Sequence, residues 1–426
     1  MITIMATADL TFAILGLGGR GNAFSQVLND MPELGRVVAV ADVDAARRKV
    51  AGDRHGLPES ARFDGYQALL AQPKLADVVI DTLMDQLHAP SAIPALDKGY
   101  HMLLEKPMAT TLADCRAIDA ARRRNNAIVS VCHSMRYGVV FQEIKRLVDG
   151  GAIGQLVCMD QLEAVEHTHQ SHSFVRGNWG NQSRSTFMLM AKSCHDLDWI
   201  HYLIGKPCRR VTSFGSLNKF RKESMPPGAP ARCIDGCPAE ASCPYSTFKL
   251  YSGPNADRDH WYSGHAGFAG KPVEERLRLL RTSPYGRCVY QCDNDVVDHQ
   301  VVAFEFDGGV TATFTMTGLT HNHGRYIRLH GTEGALQSDT DRNIIDIHRY
   351  DDGRHQRIEL PIGTGSHGGS DIRVLRNLVD AIRSGRPESV LTTTAESLAS
   401  HSIVFAAERS RLEKRMVELD EVARSG

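Results

Sequence analysis

Two side chains with acid–base chemistry follow directly on a short apolar run, residues 102–104. Glu105 and Lys106 present a carboxylate and an amine at the end of this run, and Pro107 then restricts the backbone. A surface turn is one interpretation. The other is an amine directed at a bound molecule, since desolvation and neighbouring cations can lower a lysine pKa until it exchanges a proton. The matching chemistry is oxidation of an alcohol, in which a cofactor takes the hydride and the protein takes the proton.

A glycine-rich segment near the N-terminus could bind such a cofactor. Gly16, Gly18 and Gly21 follow the apolar run 12–15 in G-x-G-x-x-G spacing, and Gly19 and Arg20 lie inside the motif. The first glycine permits a tight turn, the second lets a pyrophosphate approach the backbone, and the third allows close helix–strand packing. The pyrophosphate would lie on the amides of the following helix. The motif therefore predicts a dinucleotide site.

An acidic residue stands where the ribose of a dinucleotide is expected. Asp42 ends the apolar segment VVAVAD, 21 residues after Gly21, and can accept hydrogen bonds from a ribose diol. Because Val43 rather than a cation follows it, the pattern favours NAD over NADP. Arg47 and Arg48 are close enough to leave NADP open as an alternative.

The elements that position these residues alternate between strands and helices through the first 130 residues. This alternation predicts an α/β fold with a parallel, doubly wound sheet. Ligands of such sheets lie beyond the carboxyl ends of the strands. Lys106 follows such an end, so it is predicted to point toward the cofactor.

Several motifs together resemble the Gfo/Idh/MocA family, the glucose–fructose oxidoreductase and inositol dehydrogenase group. They are GLGGRG, EKP, HDLDWIHYLIG (195–205), IRLHGTEGALQSD (327–339) and the closing AESLASHSIVFAAERSRLEKRMVEL. The resemblance implies a Rossmann domain (1–135) and an α/β domain with a large, mostly antiparallel sheet (136–426). The outer face of that sheet would form a homo-oligomer, a dimer or a tetramer.

The resemblance also implies roles for individual residues. Lys106 would lie beside the nicotinamide and the substrate hydroxyl, Glu105 would orient it, and Pro107 would often follow a cis peptide. The family's second signature, D-x-x-x-H-x-x-D, aligns on His195 as a catalytic residue but places Ala191 at the first acidic position. Lys192 and Asp196 are the two alternatives for the role of the absent acid.

A polar, histidine-rich loop (168–185) follows the strand where this family places its substrate loop. Arg176, Asn178 and Trp179 suit a sugar, because they offer hydrogen bonds and a flat apolar ring. The complete set of predicted substrate residues is Arg136, His172, Arg176, Asn178, Trp179, Lys192, His195 and Asp196. A metal site at the loop's three histidines (167, 169 and 172) is an alternative that no helix or turn spacing supports.

A cluster of cysteines lies in a segment rich in Pro, Gly and Ser, predicted as an insertion at about 206–300. Cys233, Cys237 and Cys243 are separated by three and five residues, and Cys288 and Cys292 follow. A structural zinc ion held by the first three and by Cys288 or Cys292 would supply stability that packing cannot. Disulfides, free thiols and an iron–sulfur cluster are the alternatives.

The composition gives no sign of a nucleic-acid or membrane partner. The chain is 42% hydrophobic and 23% charged, with a net charge of −1 and no apolar run long enough to span a bilayer. Scattered cysteines outside the cluster favour a cytoplasmic location.

The leading functional hypothesis is an NAD-dependent dehydrogenase acting on a ring hydroxyl of a sugar, sugar acid or cyclitol. The second is a redox-neutral, NAD-dependent glycosidase that oxidises C3 transiently, eliminates the aglycone, adds water and returns the hydride. An anionic sugar such as a sulfoquinovoside would suit Arg176, and aldose–aldose oxidoreduction is a variant. A non-catalytic NAD-sensing regulator is the third hypothesis, and Lys106 and His195 argue against it.

Overall fold

The computed structural model of the chain describes residues 9–253, 260–363 and 366–424. The strands and α-helices in these ranges are β1 (Thr11–Leu15), α1 (Gly19–Asp30), β2 (Arg36–Ala41), α2 (Ala45–Arg54), β3 (Arg62–Phe63), α3 (Tyr66–Ala71), β4 (Val78–Asp81), α4 (His88–Asp97), β5 (His101–Leu104), α5 (Leu112–Arg124), β6 (Val129–Val131), α6 (Val139–Asp149), β7 (Leu156–Ala164), α7 (His167–Ser171), α8 (Met188–Ala191), α9 (Cys194–Ile204), β8 (Cys208–Ser216), α10 (Thr247–Tyr251), α11 (His260–His265), α12 (Val273–Leu280), β9 (His299–Phe306), β10 (Thr311–Thr317), β11 (Gly324–Gly331), β12 (Gly334–Asp339), β13 (Ile344–Arg349), β14 (His355–Glu359), α13 (Ser370–Ser384), α14 (Thr394–Glu413), β15 (Val417–Glu418) and α15 (Leu419–Arg424). None of the helices in these ranges is long and apolar enough to cross a membrane.

The first sheet is parallel and has the strand order β3-β2-β1-β4-β5-β6. This is the order of dinucleotide-binding sheets. Its central strands are continuous apolar runs because helices cover both faces. Leu15, Asp81 and Leu104 are register partners across β1, β4 and β5, so the glycine motif and the Glu105–Lys106 pair begin at one edge.

The second sheet has nine strands in the order β14-β13-β12-β11-β7-β10-β9-β8-β15. Only its β7–β10 pairing is parallel. One face packs on α9 and α14, in a core that includes Trp199, Phe314 and Val404. The opposite face leaves Phe214 67% exposed and its register partner Val301 40% exposed. The predicted combination of a doubly wound parallel sheet with a large, mostly antiparallel sheet is confirmed.

The helices α13 and α14 connect both sheets. Val374, Leu375 and Leu378 of α13 are buried in the core beneath β1, together with Phe12 and Ile14. In α14, the Nε2 atom of His401 accepts a hydrogen bond from the backbone N–H of Met108, at 3.0 Å. The core of the first sheet therefore includes residues far beyond position 135.

The segment between β8 and β9 (residues 217–298, termed the β8–β9 segment) holds the helices α10, α11 and α12. Its described residues form two small apolar clusters, one with Phe220 and Tyr290 and one with Tyr251 and Phe268. This segment therefore has little core of its own.

Candidate active site

The glycine motif forms a tight turn between β1 and α1. Gly16 has a φ of +82°, and a Cβ there would lie 2.8 Å from the carbonyl oxygen of Thr82. A Cβ on Gly21 would overlap the carbonyl oxygen of Gly16. At Gly18, in contrast, the nearest such neighbour is the Nη1 atom of Arg47, at 4.0 Å. The turn therefore leaves room beside Gly18, at the N-terminus of α1, and this fits a dinucleotide pyrophosphate.

Asp42 follows β2 at the same edge of the sheet and is buried. Its Oδ2 accepts a hydrogen bond from the backbone N–H of Leu17 at 2.5 Å, and its Oδ1 accepts one from Asp44 at 2.8 Å. The Nη1 atom of Arg48 donates to the carbonyl oxygen of Asp42, at 2.6 Å. Asp42 thus ties the glycine turn to the end of β2, beside the predicted ribose position.

The Lys106 amine extends from the end of β5 to the second domain. Its Nζ donates a hydrogen bond to the carbonyl oxygen of Ala191, at 2.8 Å. Ala191 is the residue that stands at the family's usual acidic position. Its backbone therefore provides an acceptor for Lys106 that its side chain cannot.

Glu105 forms its hydrogen bonds with Arg20 and with the backbone. Its carboxylate accepts hydrogen bonds from Arg20 Nε at 2.5 Å and from the backbone N–H of Lys106 at 2.9 Å. Arg20 also donates to both oxygens of Asp371, at 2.6 and 2.9 Å. Burial alone would raise the pKa of Glu105, but the Arg20 guanidinium and the Lys106 charge outweigh it and the net shift is downward. The Lys106–Pro107 peptide bond is cis.

His195 lies in the first turn of α9. Two further imidazoles, those of His133 and His401, are buried next to it in a row. The ring centroids of His195 and His133 are 5.7 Å apart, and those of His133 and His401 are 5.4 Å apart. Burial lowers the pKa of His133 to about 4, although the Asp198 carboxylate opposes this shift. Burial likewise lowers the pKa of His401, to about 3. His195 is therefore backed by two imidazoles that are neutral at physiological pH.

Four charged side chains form a buried network beside Lys106. Lys192 Nζ lies 3.5 Å from Glu163 Oε1, and Arg325 Nη2 donates to the same oxygen at 2.7 Å. Arg325 also donates to Asp196, at 2.9 and 3.0 Å. Desolvation lowers the pKa of the Lys192 amine; Glu163 opposes this, and the charges of Arg325 and Lys106 add to it. Desolvation also raises the pKa of Asp196, against the attraction of Arg325 and with the repulsion of Glu163.

Two members of this network, Glu163 and Arg325, were not predicted as site residues. His169, considered only for the alternative metal site, is also near Lys106, and its pKa is held far below its ordinary value by burial and then by Lys192. A signal for Glu163 exists in β7, where Met159, Gln161 and Glu163 alternate and share one buried face. When the last two alternating core-facing positions of a strand are polar, a binding or catalytic site is indicated there, because buried polar groups need partners.

Three predicted substrate residues are engaged elsewhere. Arg136 makes a two-point ion pair with Asp198, at 2.7 and 2.8 Å. His172 bonds the Tyr251 hydroxyl at 2.7 Å, inside the β8–β9 segment. Arg176 is 1% exposed and donates to two backbone carbonyls of that segment, at 2.7 and 2.8 Å. These hydrogen bonds hold the three side chains in the protein's interior, and their contact with a substrate stays a prediction.

Asn178 and Trp179 lie nearer the cofactor edge of the first sheet. The indole N–H of Trp179 donates to Asp85, at 3.1 Å, just beyond the end of β4. The amide of Asn178 contacts the Met84 sulfur, at 3.8 Å. The loop therefore reaches the first domain with these two residues, which remain candidates for substrate contact.

The β8–β9 segment also reaches the glycine turn. A Cβ added to Gly19 would lie 2.9 Å from the Nε2 atom of His265, which belongs to α11. A side chain from the second domain thus borders the predicted pyrophosphate position.

The structure does not support the predicted zinc site. Within residues 9–253, 260–363 and 366–424, no group of three or more His, Cys, Asp or Glu is placed to hold a metal ion, and this includes the loop histidines. All ten cysteines are unpaired. Cys233, Cys237, Cys243 and Cys288 line one cavity instead of converging on a point. Cys292 is outside the lining and donates to the carbonyl oxygen of Cys288, at 3.3 Å.

Comparison with known proteins gives two family matches. The NAD-binding Rossmann fold of an oxidoreductase family matches residues 10–133, and the family's C-terminal alpha/beta domain matches residues 145–419. YteT of Bacillus subtilis (strain 168), an oxidoreductase by name, is 23% identical over 401 residues, which are 89% of this chain and 91% of YteT. Inositol 2-dehydrogenase of Salmonella typhimurium (strain LT2) is 28% identical over 203 residues, 47% of this chain and 56% of that enzyme.

Solved structures share the fold over nearly the whole chain. Levoglucosan dehydrogenase in complex with NADH has a TM-score of 0.70 at 18% identity, covering 96% of this chain and 99% of that one. The aldose–aldose oxidoreductase from Caulobacter crescentus has a TM-score of 0.65 at 20% identity, with the same coverage. At these identities the likeness shows the fold alone.

Proposed function

The chain belongs to the Gfo/Idh/MocA oxidoreductase family, whose N-terminal part is an NAD-binding Rossmann fold, and we propose that it oxidises or reduces a ring hydroxyl of a sugar, sugar acid or cyclitol. When bound, NAD supplies the hydride acceptor. The single observation that carries the proposal is the 2.8 Å hydrogen bond from Lys106 Nζ to the carbonyl oxygen of Ala191. It brings the amine from the edge of the cofactor-binding sheet to the chain segment that also holds His195.

Lys106 and His195 handle the proton of the substrate hydroxyl in this proposal. An alcohol that becomes a ketone loses a hydride from carbon and a proton from oxygen, so a side chain must take that proton. His195 is suited to this because imidazole exchanges protons near neutral pH. Neutral His133 and His401 behind it add no positive charge to oppose protonation.

The network of Lys192, Glu163, Asp196 and Arg325 is proposed to bind the remaining hydroxyls. Arg325 is hydrogen-bonded to Glu163 and Asp196, and Lys192 is ion-paired with Glu163, which fixes their positions before substrate arrives. Cationic donors next to carboxylate acceptors suit the alternating donors and acceptors of a polyol. The relatives named levoglucosan dehydrogenase, inositol 2-dehydrogenase and aldose–aldose oxidoreductase support this substrate class.

A redox-neutral glycosidase is the second candidate, and one observation favours it. Lys106, Lys192, Glu163 and Asp196 lie close enough for their charges to act on one another, and they are more proton-transferring groups than one hydride transfer requires. Elimination and re-addition of water across a ring would use the additional acids and bases.

The experiment that separates these functions measures two products at once. Purified protein is mixed with NAD and panels of free sugars, sugar acids, cyclitols and aryl glycosides, including sulfoquinovosides. NADH that accumulates in proportion to substrate shows a dehydrogenase, and aglycone release without NADH shows a glycosidase. Neither signal over the whole panel, with NAD binding retained, would contradict both and favour a regulator.

We also propose that copies of the chain associate through the outer face of the nine-stranded sheet. The exposed pair Phe214 and Val301 places apolar area there, side by side on β8 and β9. Light scattering should give an oligomer, and Phe214→Asp should give a smaller species with unchanged circular dichroism. A monomeric parent protein would contradict this proposal.

A further inference from the structure

Four cysteines from two distant stretches of chain surround one cavity in the β8–β9 segment. Cys233, Cys237 and Cys243 come from one stretch of 11 residues, and Cys288 comes from a later one. Three closely spaced cysteines plus a remote fourth are also the ligand distribution of plant-type iron–sulfur proteins, although the spacings differ. Cys233 and Cys288 are buried, whereas Cys237 and Cys243 are partly exposed.

The arrangement of the four cysteines separates a single ion from a larger group. No trio of ligands among the described residues is placed to hold one ion. An iron–sulfur cluster needs no such convergence on a point, because its four thiolates are shared among two or four iron atoms.

A cation with an unused donor lines the same cavity. Arg176 is 1% exposed, and its Nη2 lies 4.0 Å from the Cys233 sulfur while donating to the carbonyl oxygen of Tyr245. Its Nη1 atom is buried and has no hydrogen-bond partner among the described residues. A buried guanidinium N–H without an acceptor costs on the order of 1–3 kcal/mol, and an anionic group within reach of this atom would remove that cost.

We propose that this cavity binds an iron–sulfur cluster through the thiolates of Cys233, Cys237, Cys243 and Cys288, with Arg176 donating a hydrogen bond to its sulfur atoms. Transfer of a preassembled cluster is a ligand exchange: four iron–thiolate bonds to the protein form, the four bonds to the cluster's incoming terminal ligands break, the departing ligands take up the four thiol protons, and no electron is transferred. Four thiolates on one cluster leave a net negative charge, which Arg176 offsets in part. The site lies outside the Lys106 pocket and does not depend on the function proposed above.

The cluster joins parts of the protein that have little apolar contact of their own. Its ligands connect both ends of the β8–β9 segment, and Arg176 connects that segment to the loop after β7. The apolar packing beside the proposed iron–sulfur site is a small group of side chains that includes Phe220, Tyr245 and Tyr290. Metal–thiolate bonds supply stability where so small a core cannot.

The test uses the full-length chain, purified without oxygen and then treated with ferric and ferrous iron and sulfide, so that assembly of the cluster needs no further oxidant. We expect iron and acid-labile sulfide in equal amounts, about two or four of each per chain, with the visible absorption of thiolate-bound iron. Zinc alone, or neither iron nor sulfide after this treatment, would overturn the proposal.

Two sets of variants assign the ligands. Cys237→Ser and Cys243→Ser alter the partly exposed ligands, and each should lower the bound iron at least fivefold. Cys292→Ser is the matched control, because that residue is a near neighbour outside the cavity lining. Iron retained in both ligand variants, or lost equally in the control, would contradict the assignment.

Thiol alkylation keeps the test decisive if a ligand variant does not fold. In the parent protein, the four ligand cysteines should resist alkylation until the iron is removed by a chelator, as read by peptide mass spectrometry. Equal alkylation before and after chelation would refute the cluster.

Discussion

Two alanine substitutions in the glycine motif should differ in their effect: one should weaken NAD binding without loss of stability, and the other should lower the free energy of unfolding. Gly18 has extended backbone angles, φ −64° and ψ −164°, which alanine can adopt, and only Arg47 Nη1 lies within 4.0 Å of an added Cβ. Gly21 lies inside α1, and its added Cβ would overlap the carbonyl oxygen of Gly16. Gly18→Ala therefore adds a methyl group where the pyrophosphate is expected, and Gly21→Ala adds one where backbone already is.

The expected magnitudes follow from these two environments. Gly18→Ala should leave the free energy of unfolding unchanged or raise it by about 0.4–1 kcal/mol, because alanine restricts the unfolded chain. Its NAD affinity should fall at least about tenfold, a loss of about 1.4 kcal/mol. Gly21→Ala would gain about 1 kcal/mol of helix propensity in a solvent-exposed helix. Here overlap with a backbone atom should reverse that sign and cost about 2 kcal/mol or more.

Urea denaturation gives the free energy of unfolding of both variants, and titration calorimetry with NAD gives the affinity. The pair is informative because each variant controls for the other. A Gly21→Ala protein as stable as the parent would refute the packing argument. A Gly18→Ala protein that binds NAD as tightly as the parent would refute the position given to the pyrophosphate.

Lys106→Met should lower kcat by about 10²–10⁴-fold, the range for loss of a proton-transferring group, while NAD affinity changes little. Lys98→Met, on an exposed surface lysine, is the control; unchanged kcat in Lys106→Met would remove that residue from the mechanism. Acid should destabilise the protein through His133, because the folded state binds this proton only near pH 4 and the unfolded state binds it near pH 6.5. The unfolded state thus holds more protons between these values, so the free energy of unfolding should fall as the pH drops, by about 2 kcal/mol from pH 7 to 5. Urea denaturation of His133→Gln should show less of this slope, and an equal slope in both proteins would assign it to other groups.

The sequence predicted the first sheet well because its signals are local. The glycine spacing, the acid at Asp42 and the apolar runs are all contained in segments of a few residues, and each required one backbone geometry. Lys106 was likewise predictable, since the carboxyl ends of parallel strands share one edge. These inferences needed no knowledge of distant partners.

The second domain was less predictable because its important contacts join remote residues. Arg176 has a side chain suited to binding a substrate. In the structure it donates hydrogen bonds to the carbonyl oxygens of Tyr245 and Arg287 in the β8–β9 segment. Arg136 is similarly engaged by Asp198. Arg325 carries no local pattern at all and becomes visible only when β11 pairs with β7, where Arg325 is the register partner of Glu163.

His265 borders Gly19 although the two belong to different domains. We therefore expect a helix outside the coenzyme-binding fold to affect the time that a coenzyme molecule stays on the protein. Slow exchange of the coenzyme would lower the turnover rate of a dehydrogenase, which needs a new coenzyme molecule in every cycle. It would not affect a redox-neutral reaction, in which the bound coenzyme is returned to its starting oxidation state before the product leaves. Changes in α11 could therefore shift the balance between these two modes of turnover while every residue of the glycine motif stays the same.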